Sequence, residues 1–280
     1  MRRFTTSAGT DRPLLGVLLL GELIIAVALL ARPAATAAPA TQQASTPIAP
    51  SAPVTASHTQ TLHDGRTATV IPLGGAQSAS LAARIGAELD SAADAVTRFW
   101  GESWRRDIAI VVTGTDEEFA AMGGGGSDIA AATTPRRIVF APGAAAMSDG
   151  ALRIVVRHEL LHYAARADTA ADAPRWLTEG VADFVGRPPD PRPGPARAAD
   201  LARLPTDADL ETPGATRSLA YDRAWWFSRF VADRYGTPAL RRLYLAACGP
   251  GHADVATAIR TTLGADLPQV VDAWRQWLSG

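Results

Sequence analysis

His158-Glu159-Leu160-Leu161-His162 lies within an apolar run, residues 151–166, whose pattern predicts a helix. Residues four positions apart share one face of a helix, so the two histidines lie side by side on adjacent turns. Two neutral imidazoles held in this way can bind one zinc ion, and Glu159 can then reach a water at the metal and act as a general base. A solvated helix face with two unrelated histidines is a weaker interpretation, because the flanks are apolar and buried histidines need polar partners.

A zinc ion with two histidine ligands needs a third protein ligand and an open position for water. Glu179 is the candidate, because the sixteen residues between it and His162 allow a helix end, a loop and a returning helix. Asp183 lies four residues further along on the same helix face, where its carboxylate can accept the second ring N–H of a zinc-bound histidine. Two alternatives stay open: Asp183 as the ligand in place of Glu179, and two solvated acids on an amphipathic helix.

Together with Trp176-Leu177-x-Glu179-Gly180-x-Ala182, the histidine motif resembles the gluzincin metallopeptidases. It is most similar to the bacterial peptidase MA-like domains of that clan, and the run from Ala220 to Trp225 resembles the helix that follows in those domains. The resemblance extends from about residue 61 to the end of the chain and is specific at the two motif helices. The ligand spacing is shorter than in thermolysin, so the specificity pockets of that enzyme cannot be transferred.

The resemblance implies a zincin-like fold with one zinc ion per chain at the floor of a cleft. It also implies a peptide or protein substrate. In such enzymes a tyrosine or histidine from a later helix stabilises the oxyanion, and Tyr221 is the candidate for this role; a core tyrosine is the competing interpretation.

The pattern of the remaining chain predicts an α+β fold, with a small N-terminal sheet and helices, then the metal-site helix and an all-helical C-terminal half. The predicted strands are residues 67–71, 107–113, 129–133 and 137–141; the predicted helices are 78–100, 174–186, 217–235, 237–247, 255–263 and 267–278. The prolines from Pro188 to Pro195 predict a loop. The strand over residues 137–141 is a candidate for pairing with an extended substrate.

Residues 1–31 predict an export segment, because three arginines precede an apolar run over residues 14–31. This run is just long enough to span a bilayer as an anchor with a cytoplasmic N-terminus. A cleaved signal peptide is the alternative, since Ala35-Thr36-Ala37 offers a small-x-small cleavage site and Glu22 is costly at mid-membrane. The sequence therefore predicts an extracytoplasmic protein, either membrane-anchored or secreted.

Residues 32–57 are rich in Ala, Pro and Thr and predict a disordered linker, followed by one folded domain over residues 58–280. The formal net charge of −1 and the absence of a basic block beyond the first residues disfavour nucleic acid and anionic membranes as partners. Cys248 is the only cysteine, which excludes an intrachain disulfide and a thiolate zinc site. The sequence indicates no particular oligomeric state.

These observations predict an exported zinc metallopeptidase. Two other hypotheses keep the same fold: a cell-surface binding module that retains zinc without catalysis, and an envelope scaffolding protein with structural zinc.

Overall fold

A six-stranded mixed sheet forms the N-terminal half of the protein; the computed structural model describes residues 21–23, 56–123 and 129–280. The strands are β1 (Gly21–Leu23), β2 (His58–Thr61), β3 (Thr67–Pro72), β4 (Asp107–Val112), β5 (Ala131–Thr133) and β6 (Ile138–Phe140). Their order across the sheet is β1-β5-β6-β4-β3-β2. Strand β4 is parallel to both of its neighbours, β3 and β6, and the other pairs are antiparallel.

The helices pack against the sheet; two of them lie between strands in the chain, and the others follow the last strand. They are α1 (Ala76–Trp100), α2 (Asp116–Met122), α3 (Asp149–Ala165), α4 (Arg175–Gly186), α5 (Pro195–Leu201), α6 (Asp207–Glu211), α7 (Ala215–Tyr235), α8 (Thr237–Cys248), α9 (Val255–Leu263) and α10 (Leu267–Ser279). The predicted α+β class, with a small N-terminal sheet and a helical C-terminal half, is confirmed.

The two faces of the sheet pack against different helices because side chains alternate along each strand. Ile110 and Phe140 face the main core, which continues into α1 and α3. Val111 and Val139 face the other side, where Phe119 of α2 completes a smaller cluster. The sheet therefore supports α3 from one face only.

Helix α3 carries the histidine motif and packs between α1 and α4, while α4 packs against α7. The contact between α4 and α7 is close at Gly180, where an added Cβ would lie 2.5 Å from the carbonyl oxygen of Ala224. Ser148 caps the start of α3 by accepting a hydrogen bond from the backbone N–H of Ala151. The motif helix is thus fixed by a cap at its start and by helices on both sides.

One interpretation of the sequence is wrong. The strand at residues 137–141, β6, pairs with β4 on one side and β5 on the other, so it has no free edge to offer an extended substrate. The loop predicted from the prolines is confirmed, because residues 188–194 form neither helix nor strand; the short helices α5 and α6, which follow this loop, were not predicted. Pro195 can begin α5 because a proline lacks only an N–H that the first helical turn leaves unpaired in any case.

The predicted export segment and linker lie outside the described residues, apart from β1 and the last two linker residues. Strand β1 pairs with β5, with Glu22 opposite Ala132. Within the described ranges, no helix has both the length and the apolar character that crossing a membrane requires.

Candidate metal site

The structure brings His158 and His162 of α3 together with Glu179 of α4. One ligand atom from each of these residues lies within 4.8 Å of the other two. The two Nε2 atoms are 2.9 Å apart, and the Glu179 carboxylate lies 3.1 Å from Nε2 of His158 and 3.5 Å from Nε2 of His162. Two imidazole nitrogens and a carboxylate that converge in this way form a donor set suited to zinc.

Asp183 contacts the other nitrogen of the His158 ring. Its Oδ1 lies 2.9 Å from Nδ1, so Asp183 can accept a hydrogen bond from Nδ1–H and leave Nε2 free to face Glu179. Its second oxygen pairs with Arg187 at 2.5 Å, and Arg187 also pairs with Asp222 at 3.1 Å. A chain of charged groups therefore fixes the orientation of the His158 ring.

The charges around the cluster favour a cation among the three donors. Burial alone would lower the pKa of His158, but hydrogen bonds to Asp183 and Glu179 raise it to about 10. Burial alone would raise the pKa of Glu179, but the His162 and His158 rings hold it well below its usual value. An environment that favours positive charge on His158 and negative charge on Glu179 also suits a divalent metal ion.

Glu159 is fully buried next to this cluster, and its two oxygens differ. The hydroxyl of Thr133 on β5 donates to Oε2 at 2.6 Å, whereas Oε1 is buried without a hydrogen-bond partner. Burial raises the pKa of Glu159, and the stabilising effects of the histidines and Thr133 offset only part of this increase. A carboxylate with a raised pKa and one unoccupied oxygen suits a proton-transfer role.

A cleft of about 220 Å³ opens onto the cluster. The cleft is lined by Thr133 of β5, by His162 and Glu179 of the cluster, and by Thr169 from the segment after α3. Glu211 of α6 also lines the cleft. Within the cluster His162 is the most exposed ligand candidate, with 18% of its side chain accessible. The cleft therefore gives access to the three donors on the side of His162.

Tyr221 lies buried on α7 and is not among the residues that line the cleft, so its role at the oxyanion stays a prediction. Two further polar groups were missed by the sequence reasoning. Thr133 ends a predicted strand, and nothing local to it indicates a contact with Glu159. Tyr244 of α8 has its hydroxyl 2.8 Å from that of Thr169, which lines the cleft.

No family model and no curated protein matches the chain. Two solved structures that it resembles are mutant forms of M1 zinc metallopeptidases. One, from Deinococcus radiodurans, aligns with a TM-score of 0.46 and 16% identity over 80% of this chain and 52% of that chain. The other, a two-domain enzyme bound to L-tryptophan, aligns with a TM-score of 0.44 and 17% identity over the same shares. The chain therefore spans about half the length of either protein.

Proposed function

We propose that the protein is a zinc-dependent peptidase of the gluzincin type. The observation that carries the proposal is the convergence of His158, His162 and Glu179 within 4.8 Å, at a cleft beside the buried carboxylate of Glu159. Structural metal sites are closed by four protein ligands, whereas catalytic sites keep one position open. Three donors that meet at a cleft favour the catalytic kind.

His158, His162 and Glu179 would hold the metal, and Asp183 would fix the His158 ring through Nδ1. A zinc ion held there would polarise the peptide carbonyl and lower the pKa of a water molecule. Glu159 would accept the proton of the attacking water on its unpaired oxygen and deliver it to the leaving amine. Tyr221 is proposed to stabilise the oxyanion.

Strand β5 is the strand beside Glu159 with which an extended substrate would have to pair. Strand β5 carries Thr133 next to Glu159, and it pairs with β6 on one side and with β1 on the other. An extended peptide that adds to β5 would need the position that Gly21–Leu23 takes. Strand addition at β5 would therefore require displacement of this three-residue pairing.

The zinc content of the purified full-length chain tests the site. We expect one zinc ion per chain in the wild type and loss or loosening of zinc in Glu179→Ala. Glu211→Ala is the matched control, because Glu211 lines the same cleft without joining the donor cluster, and it should retain zinc. A folded wild-type chain that binds no zinc when zinc is offered would end the proposal.

Catalysis needs a separate test, because a surface binding module or scaffold can also retain zinc. Peptide-library hydrolysis should disappear in Glu159→Gln while the zinc content stays at one per chain. A hydroxamate chelator should bind the wild-type protein at the open metal position. Full hydrolysis by Glu159→Gln would show that the mechanism is wrong. A wild-type protein that holds zinc but neither hydrolyses peptides nor binds the hydroxamate would favour the binding module.

We also propose that the protein acts outside the cytoplasm, anchored in the membrane or secreted. The proposal is supported by the arginines and apolar run within residues 1–31. Fractionation of cells that express the full chain tests it, since recovery in the cytoplasm alone would contradict export.

A further inference from the structure

A second concave surface, which we call the arginine groove, lies between α1, α3, α4 and α8 and has a volume of about 730 Å³. Its basic lining residues are Arg98, Arg157, Arg241 and Arg242. It shares no lining residue with the cleft at the metal site. Binding in this groove would therefore leave the cleft accessible.

The arginines of the groove face no described carboxylate within its lining, although Glu88, which pairs with Arg153, attracts Arg157 from outside the groove. No Asp or Glu is among its lining residues in the part of the chain that the structure describes. Arg157 donates from Nη2 to the uncharged hydroxyl of Ser91 at 2.7 Å, and Arg241 lies over the Trp100 ring at 5.4 Å. Arg98 and Arg242 are exposed and form no ion pair with any described carboxylate.

Two of the guanidinium groups also have unused buried donors. The Nε atoms of Arg157 and Arg241 are buried and have no hydrogen-bond partner among the described residues. Leaving a buried donor unpaired costs free energy, and the cost is higher for a charged group. Only three carboxylate residues of the chain have side chains that the structure does not describe, namely Asp11, Glu22 and Asp128. They are too few to pair with all four arginines of the groove.

We propose that the arginine groove binds a ligand through a phosphate-type oxyanion. Guanidinium groups recognise phosphate by paired, charge-assisted hydrogen bonds, and several of them around one groove suit a multiply charged group. The start of α8 at Thr237 also lines the groove, and a helix N-terminus favours an anion.

The rest of the groove indicates a ligand larger than the phosphate group alone. Its volume is in the range of small-molecule sites. Phe184 and the exposed side chain of Leu245 add apolar surface beside the arginines. A phosphate group attached to an apolar body, as in a lipid headgroup, and a free phosphate compound both present the chemistry that the arginines recognise.

Titration calorimetry of the full-length protein with inorganic pyrophosphate tests binding of the free oxyanion. Sedimentation with phosphatidylcholine vesicles, with and without phosphatidylglycerol, tests the headgroup. We expect binding in at least one assay; pyrophosphate alone would identify a soluble ligand, and phosphatidylglycerol vesicles alone would identify a lipid. Absence of binding in both would overturn the proposal.

Arg98→Gln and Arg242→Gln test the groove directly, and both residues are exposed, so the fold should tolerate the changes. Each should weaken binding about tenfold, the effect of losing one charge-assisted hydrogen-bonding group. Arg136→Gln, an exposed arginine of the turn between β5 and β6, makes the same charge change elsewhere and should have little effect. Equal weakening in all three variants would overturn the proposal, because it would indicate attraction by net charge alone.

Discussion

The substitution Gly180→Ala tests how Glu179 is held at the metal site. An added Cβ would lie 2.5 Å from the carbonyl oxygen of Ala224 and 2.7 Å from its carbonyl carbon. Carbon atoms pack at about 3.5 Å, so α4 and α7 would have to separate by about 0.8 Å. The obstructing atoms belong to the backbone of α7 and cannot rotate away.

The expected cost follows from two opposing effects. Overpacking of this kind costs up to about 3 kcal/mol, and replacing glycine by alanine inside a helix returns about 1 kcal/mol. We therefore expect Gly180→Ala to lower the free energy of unfolding by about 2 kcal/mol. The movement would also displace the adjacent Glu179, so zinc should bind more weakly.

Urea unfolding of the zinc-free protein measures the first effect, and titration with a competing chelator measures the second. Gly150→Ala in the first turn of α3 is the matched control, because its added Cβ would meet no atom within 4 Å. The control should be stabilised by about 0.4–1 kcal/mol. Equal stability of the two variants would refute the close packing of α4 against α7.

Two further predictions concern groups around the cluster. Asp183→Asn should weaken zinc binding about 10- to 100-fold in the chelator titration, because it removes the charge that orients His158. The control Asp222→Asn changes only the outer partner of Arg187 and should have a much smaller effect. Equal effects of the two substitutions would contradict the role of Asp183. Tyr221→Phe should lower kcat about 10²- to 10³-fold at unchanged zinc content, and a larger loss in Tyr244→Phe than in Tyr221→Phe would move the oxyanion role to Tyr244.

The long elements could be predicted because their sequence patterns are strong. Residues 78–100 repeat apolar side chains at helical spacing, and the observed helix is Ala76–Trp100. The histidine spacing likewise predicts a shared helix face, since a helix fixes the relation between positions i and i+4. Local periodicity is therefore enough to predict that His158 and His162 lie on one helix face.

Contacts between distant segments could not be predicted in the same way. The pairing of β6 on both sides depends on strand order, which a three-residue apolar run does not determine. The arginine groove combines residues from four helices that are separated in the sequence, and these residues form no motif. Helix α6 was not predicted although it left a local signal, because Thr206 and Asp209 form a capping box.

Helix α6 also shows why the position of the third ligand candidate depends on later parts of the chain. Helix α4 begins after Pro174, which has no side-chain group to cap it, and the Asp207 carboxylate instead accepts hydrogen bonds from the backbone N–H groups of Arg175 and Trp176. One turn further on, Gly180 sets the distance to α7. Glu179 lies between these two constraints, so its approach to the histidines is set by contacts with α6 and α7 as well as by the sixteen residues that separate it from His162.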